Sequence, residues 1–126
     1  MKSSSRQAAQ SRGKSAEALA ALWLRLKLYR IIARSAVTGR GSGAGEVDII
    51  ARRGDLIIFV EVKARANLAD AAESLGFAQK RRIERAAAAF LARHPNLGRC
   101  RVRFDAILVA PGRFPRHILD AWRPNA

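Results

Sequence analysis

The segment from Gly45 to Lys63 sets Glu46, Asp48, Asp55, Glu61 and Lys63 inside the most apolar, most strand-like stretch of the chain. Two β-branched runs, Glu46 to Arg53 and Leu56 to Lys63, flank Gly54-Asp55. Glycine followed by a small polar residue suits the type II′ turn of a two-residue β-hairpin. In that hairpin Arg53 pairs with Leu56, Asp48 falls opposite Glu61, and Glu46 falls opposite Lys63. Opposed Cβ atoms lie about 4.5 to 5.5 Å apart. Alternation puts Glu46, Asp48, Glu61 and Lys63 on one face, with Ile50, Ile57 and Phe59 toward the turn, and Val47, Ile49, Ile58, Val60 and Val62 on the other. Two largely apolar faces are the pattern of strands covered on both sides.

Carboxylates held this close in a partly desolvated place repel, and one takes up a proton unless a cation sits between them. A hard divalent ion, Mg²⁺ or Mn²⁺, resolves the conflict, since Mg²⁺ takes one or two protein carboxylates and fills its shell with water and substrate phosphate. Lys63 then points at the same water and phosphate, where its charge orients a nucleophile or stabilises the transition state. This is equipment for metal-assisted phosphodiester hydrolysis. The alternative is a set of ion pairs, Glu61 with Lys63 at an exposed strand end and Asp48 and Glu46 with nearby arginines. Turn length favours the site, because a three-residue loop would put Asp48 and Glu61 on different cross-strand pairs.

The elements around this hairpin must position it. From Ser15 as N-cap, Leu19, Leu22, Trp23 and Leu26 recur at the spacing of a buried helical stripe. Leu24 and Leu28 make that helix apolar on more than one side, which suits deep packing or a partner, a homodimer included. Tyr29 to Ser35 forms the first strand. Thr38 to Gly45 is a glycine-rich mobile loop with Arg40 as a phosphate contact; no strand-to-helix context follows, so a P-loop is excluded. Ala64 to Ser74 is a loop or short turn. A second helix from Leu75 to Arg93 turns Ile83, Ala87, Phe90 and Leu91 inward and Lys80, Arg81, Arg82 and Arg85 mostly outward, a basic face suited to backbone phosphates. His94 to Gly98 breaks the helix. Arg101 to Ala110 is a strand in which Asp105 pairs with a neighbouring arginine, and His117 to Trp122 adds a short strand or helix where no chemistry converges. Residues 1–13 form a mobile basic tail and 14–126 a single domain.

With 24 Lys and Arg against 10 Asp and Glu in 126 residues, the net charge is +14. Such a charge calls for a polyanionic partner, nucleic acid first, and does not distinguish DNA from RNA. No apolar run reaches the roughly 18 residues that span a bilayer, so no membrane partner is expected. The opening Met1 to Arg6 lacks the apolar core of a secretory signal. Cys100 stands alone, which excludes an intrachain disulfide. The expected compartment is the cytoplasm.

Asp, a hairpin and then Glu-x-Lys resembles the core of the PD-(D/E)xK nuclease superfamily. Gly45-Glu46-Val47-Asp48-Ile49-Ile50-Ala51, Phe59-Val60-Glu61-Val62-Lys63-Ala64-Arg65, Lys80-Arg81-Arg82-Ile83 and Arg103-Phe104-Asp105 together resemble the YraN family, small bacterial proteins similar to Holliday-junction resolvases. The resemblance covers most of residues 13–122. It implies an α/β, restriction-endonuclease-like αβββαβ core with a central mixed sheet flanked by helices. It further implies a Mg²⁺ or Mn²⁺ nuclease site at Asp48, Glu61 and Lys63, with metal on the two carboxylates. Glu17 would be an accessory carboxylate on the first helix; its alternative reading is a first-turn glutamate favoured by the helix dipole. DNA, branched or otherwise structured, is the implied substrate, with Arg40, Arg65, Lys80, Arg81, Arg82 and Arg85 as contacts. Val47 stands where the superfamily's name has Pro, and Leu28 precedes Tyr29 where the family tends to have Gly. Gln79-Lys80 reverses the family's usual order, and no role is assigned to Gln79. The rival on the same fold is a catalytically silent nucleic-acid-binding protein or adaptor, which would not require Asp48, Glu61 and Lys63.

Overall fold

A computed structural model describes the backbone of residues 2–37 and 46–124, with side chains over 13–35 and 46–124. The elements are α1 (Lys2–Leu26), β1 (Arg30–Val37), β2 (Glu46–Arg53), β3 (Leu56–Ala64), α2 (Leu68–Glu73), α3 (Phe77–Arg93), a 3₁₀ turn (Pro95–Leu97), β4 (Arg101–Val109) and β5 (Arg116–Trp122). The strands lie in chain order across one five-stranded sheet. Every neighbouring pair is antiparallel except β3 and β4. A parallel pair cannot be closed by a tight turn, so α2 and α3 lie in the crossover between those two strands. The αβββαβ core is therefore present, with α2 and β5 added to it.

The β2–β3 hairpin has the register its turn dictates: Arg53 pairs with Leu56 and Ile49 with Val60. Gly54 has a φ of +61°, the left-handed value that the first central position of a type II′ turn demands and that glycine adopts without strain. Apolar side chains cover both faces of the sheet. On one, Ile49, Ala51, Ile58, Val60 and Ile107 pack with Ala20, Ala21 and Leu24 of α1. On the other, Val47, Ile50, Ile57 and Phe59 pack with Ile83, Ala86, Ala87 and Phe90 of α3.

The buried side of α1 is not the leucine stripe expected from its spacing. Ala16, Ala20, Ala21 and Leu24 are buried, whereas Leu19, Leu22 and Leu26 are exposed. Small side chains let the helix approach the sheet closely, so its alanines form the contact and the bulkier leucines project outward. Trp23 is half-buried and meets the Phe114 ring at 5.8 Å. α1 also begins at Lys2, so the segment 1–13, expected as a tail, belongs to the helix from that residue on. Its Ala, Gln, Arg and Lys residues favour helix, and extending a nucleated helix costs far less than starting one. In the stretch expected as a loop, Asn67 caps α2 by accepting from the Asp70 N–H at 2.8 Å, a side-chain cap that satisfies a first-turn donor. The Thr38 to Gly45 loop, Arg40 included, lies outside the described residues.

Candidate functional site

Asp48 stands where the β2–β3 ladder opens. The last regular pair is Ile49 with Val60, and beyond it the Val62 N–H donates to Asp48 Oδ2 at 2.8 Å. The Asp48 carboxyl also hydrogen-bonds Glu61, which is 4% exposed. Gln79, in the first turn of α3, donates Nε2 to Glu61 Oε2 at 3.0 Å and accepts from Arg82 at 3.2 Å. Lys63 Nζ lies 3.8 Å from Glu61 Oε1. Residues from β2, β3 and α3 thus converge at one end of the sheet.

Burial, the hydrogen bond to Glu61 and the Glu61 charge together push the Asp48 carboxyl up to about 8, against the Val62 N–H and Lys63, which favour its ionised form. Crowded against Glu61 in a buried place, the Asp48 carboxyl favours its protonated form. Among the described residues no group of three or more His, Cys, Asp and Glu could hold a metal ion. Two carboxylates are nevertheless a donor set suited to Mg²⁺, whose remaining ligands are characteristically water and phosphate.

Of the accessory carboxylates, Glu17 comes to the neighbouring strand. Ser35 Oγ donates to its two oxygens at 3.0 and 2.9 Å, and Arg34 Nε at 3.3 Å. Ser35 lies between the pairs Arg34–Ile49 and Ala36–Val47, level with Asp48. Glu17 is therefore held one strand away from Asp48 by β1. Glu46 is exposed at the start of β2 and pairs with Val37. Val47 packs toward α3 while Ile49 packs toward α1, so strict alternation breaks at Asp48 and does not carry Glu46 onto the shared face.

The basic residues of α3 are partly engaged by their own helix. Arg81 lies 3.6 Å from Glu84 and over the Phe77 ring at 5.0 Å. Lys80 sits 6.0 Å above the Trp122 ring, while Arg82 and Arg85 are exposed. Arg65 is exposed just beyond β3 and turns Nη1 back to the Ala64 carbonyl at 2.7 Å.

A second polar cluster lies on the α1 side. Asp105 is fully buried and accepts two 2.7 Å bonds from Arg103, the pairing expected for it. It also accepts from His117 Nε2 at 2.7 Å and the Asp120 N–H at 3.0 Å. Burial pushes Asp105 up, but His117, Arg103 and the Asp120 N–H outweigh it and hold the carboxyl below its ordinary value. Arg103 is raised chiefly by its bond to Asp105. Lys27 Nζ lies 2.9 Å from His117 Nδ1; with Lys27 donating, the ring proton sits on Nε2 and is given to Asp105. Polar chemistry does converge on His117, contrary to the expectation for the last strand. Sequence reasoning missed it because only the Ile107–His117 pairing sets it beside β4. Gln79 was likewise invisible as a site residue, since its reach to Glu61 depends on where α3 packs.

A mixed sheet between helices, with Asp on one hairpin strand and Glu-x-Lys on the next, defines an α/β domain of restriction-endonuclease-like architecture. The chain belongs to the uncharacterised protein family UPF0102, whose family model matches residues 16–109. It is 70% identical over 117 residues to a UPF0102 protein of Paramagnetospirillum magneticum, covering 93% of this chain and 91% of that one. It is 51% identical over 112 residues to a UPF0102 protein of Parvibaculum lavamentivorans, covering 89% and 81%. A UPF0102 protein of Mesorhizobium japonicum is 50% identical over 120 residues, covering 95% and 93%. The YraN resemblance is met by this membership. No helix among the described residues is long and apolar enough to cross a membrane.

Proposed function

We propose that this chain is a cytoplasmic, divalent-metal-dependent nuclease of the PD-(D/E)xK type, hydrolysing phosphodiester bonds in DNA, with branched or structured DNA as its substrate. The observation that carries the reading is the hydrogen-bonded Asp48–Glu61 pair with Lys63 beside it, set in a protein of net charge +14. Asp48 and Glu61 would hold Mg²⁺ or Mn²⁺. A bound ion would supply Lewis acidity at a phosphoryl oxygen and a more acidic water. Lys63 would orient a water nucleophile or stabilise the charge that develops on the phosphate. Gln79 holds the Glu61 side chain in place. The basic residues of α3 and Arg65 position the backbone without reading sequence.

The Glu61–Lys63 contact of 3.8 Å favours a second reading, in which the cluster closes on itself as a structural ion pair and the protein binds nucleic acid without cutting. Lys63→Ala separates the two. The nuclease reading predicts retained DNA and metal binding with cleavage lost. Equal loss of folding stability, binding and cleavage would support the ion-pair reading instead.

A further inference from the structure

At the turn end of the hairpin two arginines face each other across the β1–β2 ladder. Arg30 and Arg52 are direct partners in the antiparallel register, the arrangement in which like charges repel most strongly. Neither has a carboxylate partner among the described residues. Asp55, the acid of the turn, is held by Arg101 at 2.8 Å and feels Arg52 only as the last and smallest influence on its carboxyl. Arg52 spends Nε on the Gly54 carbonyl at 2.8 Å, which fixes the guanidinium and leaves its two terminal nitrogens available. The neighbouring Arg53 is committed elsewhere, to the Lys27 carbonyl at 3.0 Å and the Tyr29 ring at 4.3 Å. Leu28, Arg30, Arg52, Arg53 and Gly54 line one open concavity.

We propose that Arg30 and Arg52 form a phosphate clamp for the backbone of a bound nucleic acid, at a place separate from the acidic cluster and from the basic face of α3. A folded chain tolerates two opposed guanidinium groups at a cost, and a phosphate between them removes that cost while offering each a charge-assisted, bidentate partner. Arg52 is opposed to Ile57, which packs toward α3, so the clamp shares the sheet side from which Gln79 reaches Glu61. Arg52 lies four residue steps along β2 from Asp48, about 13 Å at strand rise. One bound duplex lying along the strand can therefore engage both ends, spanning roughly four base-pair steps at about 3.4 Å of helix axis each. The inference rests on the nucleic-acid reading above but not on cleavage.

The test is equilibrium binding in EDTA, where cleavage plays no part. Labelled duplex DNA, single-stranded DNA and RNA of one length would be titrated with wild-type protein and with an Arg30→Gln, Arg52→Gln variant, alongside thermal unfolding without nucleic acid. The clamp predicts about tenfold weaker binding, a salt dependence shallower by about one phosphate contact, and a melting temperature equal to or above that of wild type, because a repulsive pair is gone. Arg30→Glu, which sets a carboxylate opposite Arg52, should melt higher still and bind more weakly. Unchanged affinity and salt slope, or affinity lost only together with stability, would overturn the clamp alone. A wild-type chain that binds none of the three nucleic acids would overturn both the clamp and the nucleic-acid reading.

Discussion

Leu28 carries a φ of +72° and is 82% exposed, at the residue just past α1. The Tyr29 N–H bonds the Leu24 carbonyl at 3.0 Å and the Leu28 N–H bonds the Arg25 carbonyl at 2.9 Å, the paired bonds that close a helix through a left-handed residue. Glycine adopts that conformation freely, while a Cβ costs about 1 to 2 kcal/mol. Leu28→Gly should therefore raise stability by about 1 kcal/mol, read as a higher urea midpoint at unchanged slope; a lower midpoint would show that Leu28 makes a contact worth more than its strain. Asp48 gives a pH dependence of definite sign. Its carboxyl is raised from 3.8 to about 8, so the folded state holds a proton that the unfolded chain releases. Without metal, this group's contribution to stability falls as pH rises from about 4 to about 8, by at most about 1.4 kcal/mol per unit. Mn²⁺ or Mg²⁺ should consequently stabilise the protein more at pH 8 than at pH 5, and Asp48→Asn should abolish that difference. Equal metal stabilisation at both pH values would contradict the assignment. At this scale Asp48, Glu61 and Lys63 were legible because a two-residue turn fixes the register as far as Ile49–Val60, which brings Asp48 and Glu61 to the same end of the hairpin even though the ladder opens before they pair. Gln79 was not, because a helix-to-strand contact leaves no local period.

The hairpin, β1, β4 and α3 were legible as elements from alternation, turn residues and helical spacing. The buried side of α1 was not: leucines at helical spacing outweighed Ala16, Ala20 and Ala21, although the sheet takes the small residues. α2 was hidden in an alanine-rich stretch whose cap, Asn67, acts only through its own side chain. β4 and β5 are tied by Asp105, which sits at the irregularity between Phe104 and Ala106 and accepts from the N–H of Asp120, itself at φ +53°. Removing that carboxylate takes the acceptor from Arg103 Nε, His117 Nε2 and the Asp120 N–H, and leaves Arg103 its bond to Tyr29 Oη at 3.0 Å. Asp105→Ala should cost about 3 to 5 kcal/mol in denaturant unfolding, and a loss below about 1 kcal/mol would show that water replaces the carboxylate freely.

Over the whole molecule, one end of the sheet holds the acidic cluster, while Arg30 and Arg52, without a carboxylate partner among the described residues, lie at the other. An acidic pocket in a protein of net charge +14 is the combination a metal site needs in order to meet phosphates, since the basic field draws the polyanion and the carboxylates draw the cation. The charge was legible from composition. Its division between the α3 face and the Arg30–Arg52 pair was not, because the latter arises from register between β1 and β2. The most direct measurement of the central claim is cleavage of labelled linear, single-stranded, flapped and four-way-junction DNA by the wild-type chain and by Asp48→Ala, with and without Mg²⁺ or Mn²⁺. Metal-dependent cutting by the wild type alone is the predicted result; tight DNA binding by both proteins with no cutting under either metal would contradict it.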